Sequence, residues 1–194
     1  MRIVGGTYRG KKLQTPTDDQ TRPTSDKARE ALFNILDSQL LKSGQKWGQL
    51  TFLDVFAGTG AVGVEALSRG AKEAFFIENH GPAIACLKAN TAPFQNVVLL
   101  TCNAETPPFR TTPVDLIFMD APYARQLWEK ALTALLKAGW IGPQTRIIVE
   151  VERKEDILMP PGFHITDDRH YGRNRLLFCE PLTNKAGKRT RPRQ

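Results

Sequence analysis

Apolar and polar positions along this chain change rhythm near residue 50. Ahead of it, Arg2-Ile3-Val4-Gly5-Gly6 and Tyr8-Arg9-Gly10-Lys11-Lys12-Leu13 alternate around glycines, a pattern that predicts a short twisted hairpin. Arg22-Pro23-Thr24-Ser25 follows, with Thr24 or Ser25 placed as an N-cap after the proline. Ala28, Ala31, Leu32, Ile35 and Leu36 then recur at helical spacing and predict an amphipathic helix over 25–41, with Gly44 and Gly48 in the loop that leaves it. From Leu50, apolar runs and helical segments alternate. Strands are predicted at Leu50 to Val55, Ala74 to Ile77, Val97 to Thr101, Val114 to Met119 and Arg146 to Val151. Helices are predicted at Val62 to Arg69, Pro82 to Asn90 and about 125–138, with Gly70 and Gly139 as stops. Such alternation belongs to a parallel sheet covered on both faces. Phe163 to Thr166 and Arg175 to Cys179 instead flank a polar turn with no helix between them, which predicts a terminal antiparallel hairpin. The expected fold is α/β, doubly wound and mostly parallel, with a C-terminal β-hairpin and an N-terminal hairpin-plus-helix extension.

Length and composition narrow this further. At 194 residues, 41% apolar and 24% charged, the chain suits a single globular domain with one core. We expect that domain over 1–182, divided into an extension (1–45) and a core (50–182), with 183–194 a mobile basic tail. No apolar run approaches the roughly 18 residues of a membrane span, and Met1-Arg2-Ile3-Val4-Gly5-Gly6 lacks a secretory h-region, so a cytoplasmic protein is expected. Cys86, Cys102 and Cys179 are odd in number and far apart, and His80, His164 and His170 make no ligand spacing with them. No metal site is expected. The net charge of +7 is unevenly placed: residues 1–12 carry +4, residues 183–194 carry +5, and the body between is at −2. Basic arms on a near-neutral body suit contacts to phosphates, and a solubilising tail is the plain alternative for the C-terminal arm.

Candidate chemistry begins where the first core strand ends. Asp54 closes that strand, and Phe56-Ala57-Gly58-Thr59-Gly60 with Gly63 opens the helix after it. Glycines allow a tight turn and close approach of backbone to a ligand. Glu78 ends the second strand 20 residues after Gly58, where a carboxylate can accept ribose hydroxyl hydrogens. By themselves these residues fit a nicotinamide dinucleotide and S-adenosylmethionine equally well. Three further features favour S-adenosylmethionine. The Tyr-x-x-x-Lys spacing occurs only at Tyr8 and Lys12, upstream of the nucleotide fold. No separate substrate domain of the kind many dehydrogenases carry is visible. The third is the end of the fourth strand.

Asp120-Ala121-Pro122-Tyr123 comes directly off the apolar run Leu116-Ile117-Phe118-Met119. With strand order 3-2-1-4-5 this tetrapeptide lies beside the glycine loop, at the carboxyl ends where open α/β sheets bind ligands. An exocyclic base amine is a poor nucleophile because its lone pair is delocalised into the ring. The Asp120 carboxylate and the Ala121 carbonyl can accept its two N–H bonds and turn the lone pair toward a methyl donor. Pro122 fixes φ, and Tyr123 offers a face for an unstacked base. Asp and Pro together also simply start turns. It is the position after a buried strand, downstream of a glycine loop and an acid, that favours chemistry.

These segments resemble the RsmD-type bacterial methyltransferases, which modify a guanine N2 in small-subunit (16S) ribosomal RNA. The resemblance runs through Arg2-Ile3-Val4-Gly5-Gly6, Arg9-Gly10, Arg22-Pro23-Thr24-x-Asp26-x-x-Arg29-Glu30-x-Leu32-Phe33-Asn34, the glycine loop, Phe76-Ile77-Glu78, Asp120 to Tyr123 and, more weakly, Tyr171-Gly172. It implies a Rossmann-like methyltransferase core, S-adenosylmethionine as methyl donor, S-adenosylhomocysteine as by-product, and ribosomal RNA or the small ribosomal subunit as partner of a monomer. By resemblance, Asp54, Phe56, Ala57, Gly58, Thr59, Gly60, Glu78, Asn103 and Ala104 hold the cofactor, Arg22 and Thr24 lie near it, and Arg2, Arg9, Lys11 and Lys12 contact RNA. The family usually shows Asp-Pro-Pro before an aromatic; Ala121 stands at the first proline here, with its carbonyl still available. Such enzymes often place an aspartate where this chain has Asn103. The tetrapeptide alone does not separate RNA guanine from DNA adenine or cytosine, and a non-catalytic ribosome-assembly protein on the same fold is the reading from another class.

Overall fold

The computed structural model describes residues 1–16, 26–121 and 127–182. Expectations for Arg22, Thr24, the helix cap at Thr24 or Ser25, Pro122, Tyr123 and the basic tail 183–194 lie outside these residues.

Seven strands form one sheet: β1 (Thr51–Val55), β2 (Glu73–Ile77), β3 (Val97–Leu100), β4 (Leu116–Asp120), β5 (Arg146–Glu152), β6 (Phe163–Tyr171) and β7 (Asn174–Pro181). Their order is β3-β2-β1-β4-β5-β7-β6. Strands β1 to β5 pair in parallel, and β7 runs antiparallel to both β5 and β6. Helices α1 (Asp26–Ser43), α2 (Ala61–Ser68), α3 (Gly81–Thr91) and α4 (Leu127–Lys137) accompany them. A short 3-10 turn, Trp47–Gln49, occupies the loop expected at Gly44 to Gly48.

The two sheet faces carry separate cores. On one, Phe52, Phe76, Phe118, Ile148 and Leu176 meet Leu32, Phe33, Leu36 and Leu40 of α1 and the buried residues of α2. Full burial of each such side chain is worth roughly 1.5–3 kcal/mol. Strand residues one position on point to the other face, where Leu53, Ile117, Met119, Ile147 and Val149 meet Trp128, Ala131, Leu132 and Leu135 of α4. Those four recur at i, i+3, i+4 and i+7, so α4 needs only one apolar stripe. Helix α2 is buried over all eight of its residues, because the N-terminal extension covers the side that the sheet does not.

That extension is a single antiparallel bridge, Arg2↔Lys12, closed by Ile3 N–H to Lys11 O and Gly10 N–H to Ile3 O at 3.0 and 2.8 Å. It is an irregular hairpin rather than paired strands. The C-terminal hairpin departs further from the expected boundaries. β6 does not stop at Thr166 but continues through Asp167-Asp168-Arg169-His170 to Tyr171, past a register shift between Ile165 and Asp167. The turn is only Gly172-Arg173, with Gly172 at φ 59°. A left-handed glycine at the first turn position suits a tight two-residue hairpin. β6 is the edge strand, so charged side chains on it cost little and discourage further pairing.

Candidate active site

The carboxyl ends of β1, β2 and β4 converge. Val55 is level with Ile77 on one side and Met119 on the other, so Phe56, Glu78 and Asp120 leave the sheet side by side. The loop from β1 turns through three left-handed residues: Phe56 at φ 60°, Gly58 at φ 55° and Gly60 at φ 75°. Phe56 is the only non-glycine with positive φ among the described residues, a strained conformation of the kind that concentrates at functional sites. The three glycines are required for different reasons. A Cβ on Gly60 would stand 2.3 Å from Leu87 Cδ1, and one on Gly63 would stand 2.3 Å from Phe76 Cε1. A Cβ on Gly58 would meet nothing nearer than Phe56 O at 4.0 Å. Packing demands the first two; φ and an open flank set the third.

Two carboxylates brace this loop. Asp54 is 2% exposed beneath it and its Oδ2 accepts the Gly63 N–H at 2.8 Å. Burial pushes its carboxyl up to about 8, against the lowering effect of the Gly63 bond and with a further push from the Glu78 charge. Asp54 therefore supports the loop from below. Glu78 is half-buried at its mouth. Its Oε2 accepts the Gly58 N–H at 2.7 Å, and its Oε1 accepts the Asn79 and His80 N–H groups at 2.9 and 2.8 Å. A carboxylate has about four acceptor directions. Three are in use, so one ribose hydroxyl can add directly to Oε2, and a second requires a backbone N–H to be shared.

Ala57 and Thr59 are nearly buried. Beyond β3, Asn103 Oδ1 accepts the Glu105 N–H at 2.9 Å and closes a local turn, while Ala104 is buried in the second core. Asp120 and Ala121 are half-buried. Asp120 pairs in register with Glu150 of β5, and the buried Glu150 carboxylate accepts a hydrogen bond from Asn174 Nδ2 of β7. Arg2, Arg9, Lys11 and Lys12 are all exposed.

Several residues that organise the site carry no local sequence signal. Asn90, on α3, donates through Nδ2 to Thr59 O at 2.9 Å and to Gln14 O at 3.0 Å, while its Oδ1 accepts the Gln14 N–H at 2.7 Å. It clamps the glycine loop to the N-terminal extension. Glu65, fully buried in α2, accepts the Val4 N–H at 2.8 Å and the Arg69 Nε–H at 3.0 Å. Ser68 accepts the Tyr8 N–H and donates to Gly5 O. Arg29, fully buried in α1, donates to Arg2 O at 2.5 Å and to Asp26 Oδ1 at 2.8 Å. Asp26 and Arg29 belong to a segment that carries the family resemblance; for the others, an acid inside the otherwise apolar helix Ala61–Ser68, with Arg69 four residues after it, is the hint the sequence offers.

Comparison with known proteins places this arrangement. The model of the family described as Conserved hypothetical protein 95 matches residues 1–180. "Ribosomal RNA small subunit methyltransferase D" of Escherichia coli (strain K12) is 36% identical over 169 residues, covering 84% of this chain and 80% of that protein. The Haemophilus influenzae protein of the same name is 30% identical over 185 residues, covering 89% of each. The solved structure "Putative methyltransferase yhhF from Escherichia coli" superposes with a TM-score of 0.78 at 29% identity, over 94% of this chain and 98% of that one. The chain belongs to this family, that of the RsmD methyltransferases.

Proposed function

We propose that this member of the RsmD family transfers a methyl group from S-adenosylmethionine to the exocyclic N2 amine of a guanine in small-subunit ribosomal RNA. The observation that carries the reading is the register itself: the Glu78-braced glycine loop and Asp120 emerge from adjacent parallel strands. When bound, S-adenosylmethionine supplies an electrophilic methyl group on a good leaving group.

The residues fit that cofactor. Glu78 Oε2 keeps an acceptor direction for a ribose hydroxyl, and Gly58 offers an open flank beside it. In this reading Phe56, Ala57, Gly58, Thr59 and Gly60 form the cradle, Asp54 holds it from beneath, Asn103 and Ala104 border the adenine, and Arg22 and Thr24 complete the pocket. Asp120 and the Ala121 carbonyl accept the two amine N–H bonds, which aims the nitrogen lone pair. Pro122 fixes the turn, and Tyr123 stacks on the base. As the nitrogen gains the methyl group it becomes cationic and acidic, and its proton passes along the N–H bond to the Asp120 carboxylate and on to solvent, so Asp120 orients and stabilises without having to act as a strong base. Replacing a proline by Ala121 leaves the backbone carbonyl in place. Arg2, Arg9, Lys11 and Lys12 supply phosphate contacts, in a cytoplasmic enzyme of one domain over 1–182.

The test is transfer of radiolabel from S-adenosylmethionine to small ribosomal subunits from methylation-deficient cells, followed by nucleoside analysis. Label in N2-methylguanosine is expected, and label in DNA but not rRNA overturns the reading. In the same assay Asp120→Ala should lose turnover while its cofactor Kd stays within about twofold. Glu78→Ala should weaken cofactor binding first. If both variants lost cofactor affinity equally, the role given to Asp120 would be wrong.

A further inference from the structure

We propose that the groove between α1 and β6 is a second RNA subsite, which takes an unpaired nucleotide flanking the one that is methylated. This rests on the reading above for its substrate class. The groove is open to solvent with a volume of about 430 Å³, and its lining includes Asn34, Gln39 and Lys42 of α1 and Arg169 and Tyr171 of β6.

Its position follows from the register. Asp120 is level with Glu150, Glu150 with Leu176, and Leu176 with Arg169. Directly paired residues share a sheet face, so Asp120 and Arg169 project on the same side three strands apart, about 14 Å at normal strand spacing. Tyr171 lies two residues further toward the carboxyl end, paired with Asn174. Asn174 in turn donates to Glu150, the in-register neighbour of Asp120. The groove is thus tied through one side-chain bond to the strand beside the reacting end.

Its direction follows from the helix. Gln45, just past the end of α1, accepts from Arg146 at the amino end of β5, so α1 runs against the parallel strands. From Asn34 to Lys42 is about 12 Å of helix. The groove therefore leads from Tyr171, near the reacting row, down the flank of the sheet to Lys42.

Its chemistry suits a nucleotide. Tyr171 rests against the core through part of its surface and is half-buried, leaving an anchored ring of the kind on which a base stacks. The Arg169 Nε–H donates to Asp167 Oδ2 at 2.8 Å in a solvent-exposed pair at the groove wall. Lys42 adds a second cation. Asn34 and Gln39 each present both a donor and an acceptor for a base edge. An acidic peptide would use the cations but not an anchored aromatic ring flanked by carboxamides.

The experiment measures KM for small ribosomal subunits, cofactor Kd, and anisotropy of a fluorescein-labelled single-stranded RNA. The proteins compared are wild type, Tyr171→Ala, Tyr171→Phe and the Lys42→Ala/Arg169→Ala double variant. Tyr171→Ala should weaken RNA binding about tenfold, with KM rising and cofactor Kd unchanged, and Tyr171→Phe should restore binding. The double variant should lower the slope of log K against log salt by about 1.4. Unchanged RNA affinity and slope in Tyr171→Ala and the double variant overturn the subsite, as does a loss of self-association with RNA affinity intact. If wild type labels no rRNA, the proposed function fails, and the anisotropy arm still decides the groove.

Discussion

Replacing Asp54 by asparagine should remove the pH dependence that this one residue imposes on stability. Asp54 is buried under the glycine loop with its carboxyl pushed up to about 8, against about 3.9 in an unfolded chain. Between those values the folded protein holds a proton that the unfolded chain has released. Stability therefore falls as pH rises, by about 1.4 kcal/mol per unit. The contribution is complete below pH 4, and about 4 kcal/mol is lost between pH 5 and 8. The asparagine of the Asp54→Asn protein keeps the side-chain shape and an acceptor for the Gly63 N–H but cannot ionise. Urea unfolding of both proteins at half-unit steps from pH 5 to 8.5 isolates the effect, because every other titrating group is common to the pair. The Asp54→Asn protein should gain on the wild type by about 4 kcal/mol between pH 5 and pH 8, the gap widening steadily as pH rises. Parallel curves would falsify the protonated state of Asp54; a gap that widened toward low pH would mean that Asp54 is an ionised acceptor.

Two further substitutions test how the N-terminal extension is held. Gly6→Ala places a Cβ 1.9 Å from the Ser68 carbonyl oxygen at φ 74°, and a backbone atom cannot yield as a side chain can. It should cost more than about 2 kcal/mol and speed tryptic cleavage at Arg9 and Lys11, whereas Gly10→Ala, with nothing within 4 Å, should cost only about 1 kcal/mol of strain; equal losses would refute the docking argument. Asn90→Ala removes the donor to Thr59 O and both bonds to Gln14, and should lower unfolding free energy by about 2 kcal/mol together with cofactor affinity by calorimetry. Stability lost with cofactor affinity intact would confine Asn90 to a structural role.

Four of the five parallel strands are legible in the sequence because they lie inside the sheet, largely buried, and read as mainly apolar runs; β3, half-buried at the edge, is legible from its short apolar run alone. The glycine loop and Asp120 are legible because turn chemistry there is local. β6 is misread beyond Thr166 for the opposite reason. Its residues Asp167 to His170 carry no apolar pattern, and the strand is held by backbone pairing to β7 and by the Arg175–Asp168 ion pair at 2.7 Å. Glu65 and Asn90 are hidden in another way: their partners, Val4 and Gln14, lie 61 and 76 residues away. A polar residue whose purpose is one distant contact leaves no periodicity to find. The proton on Asp54 is invisible for the same reason, since it depends on burial by the whole fold.

Helix α2 joins the two parts of the molecule that the sequence presents separately. Its first turn follows Gly60 and sets the loop; its last turn, through Ser68, holds Gly5, Thr7 and Tyr8 of the extension. The extension runs the length of this helix and back. Its bridged pair Arg2 and Lys12 lies near the loop end, where Gln14 meets Asn90, and its tip lies about 12 Å away at the far end. The four exposed cations are therefore spread along one flank of the sheet, while Arg169 and Lys42 mark the groove on the other side of α1. Under the proposed function, an RNA strand crossing the carboxyl ends would meet Arg2 and Lys12 on one side of Asp120 and Arg169, paired with Asp167, on the other. One buried helix then fixes the glycine loop and the nearer of these cation groups against the same core, so the distance between them is set by packing rather than by a flexible arm.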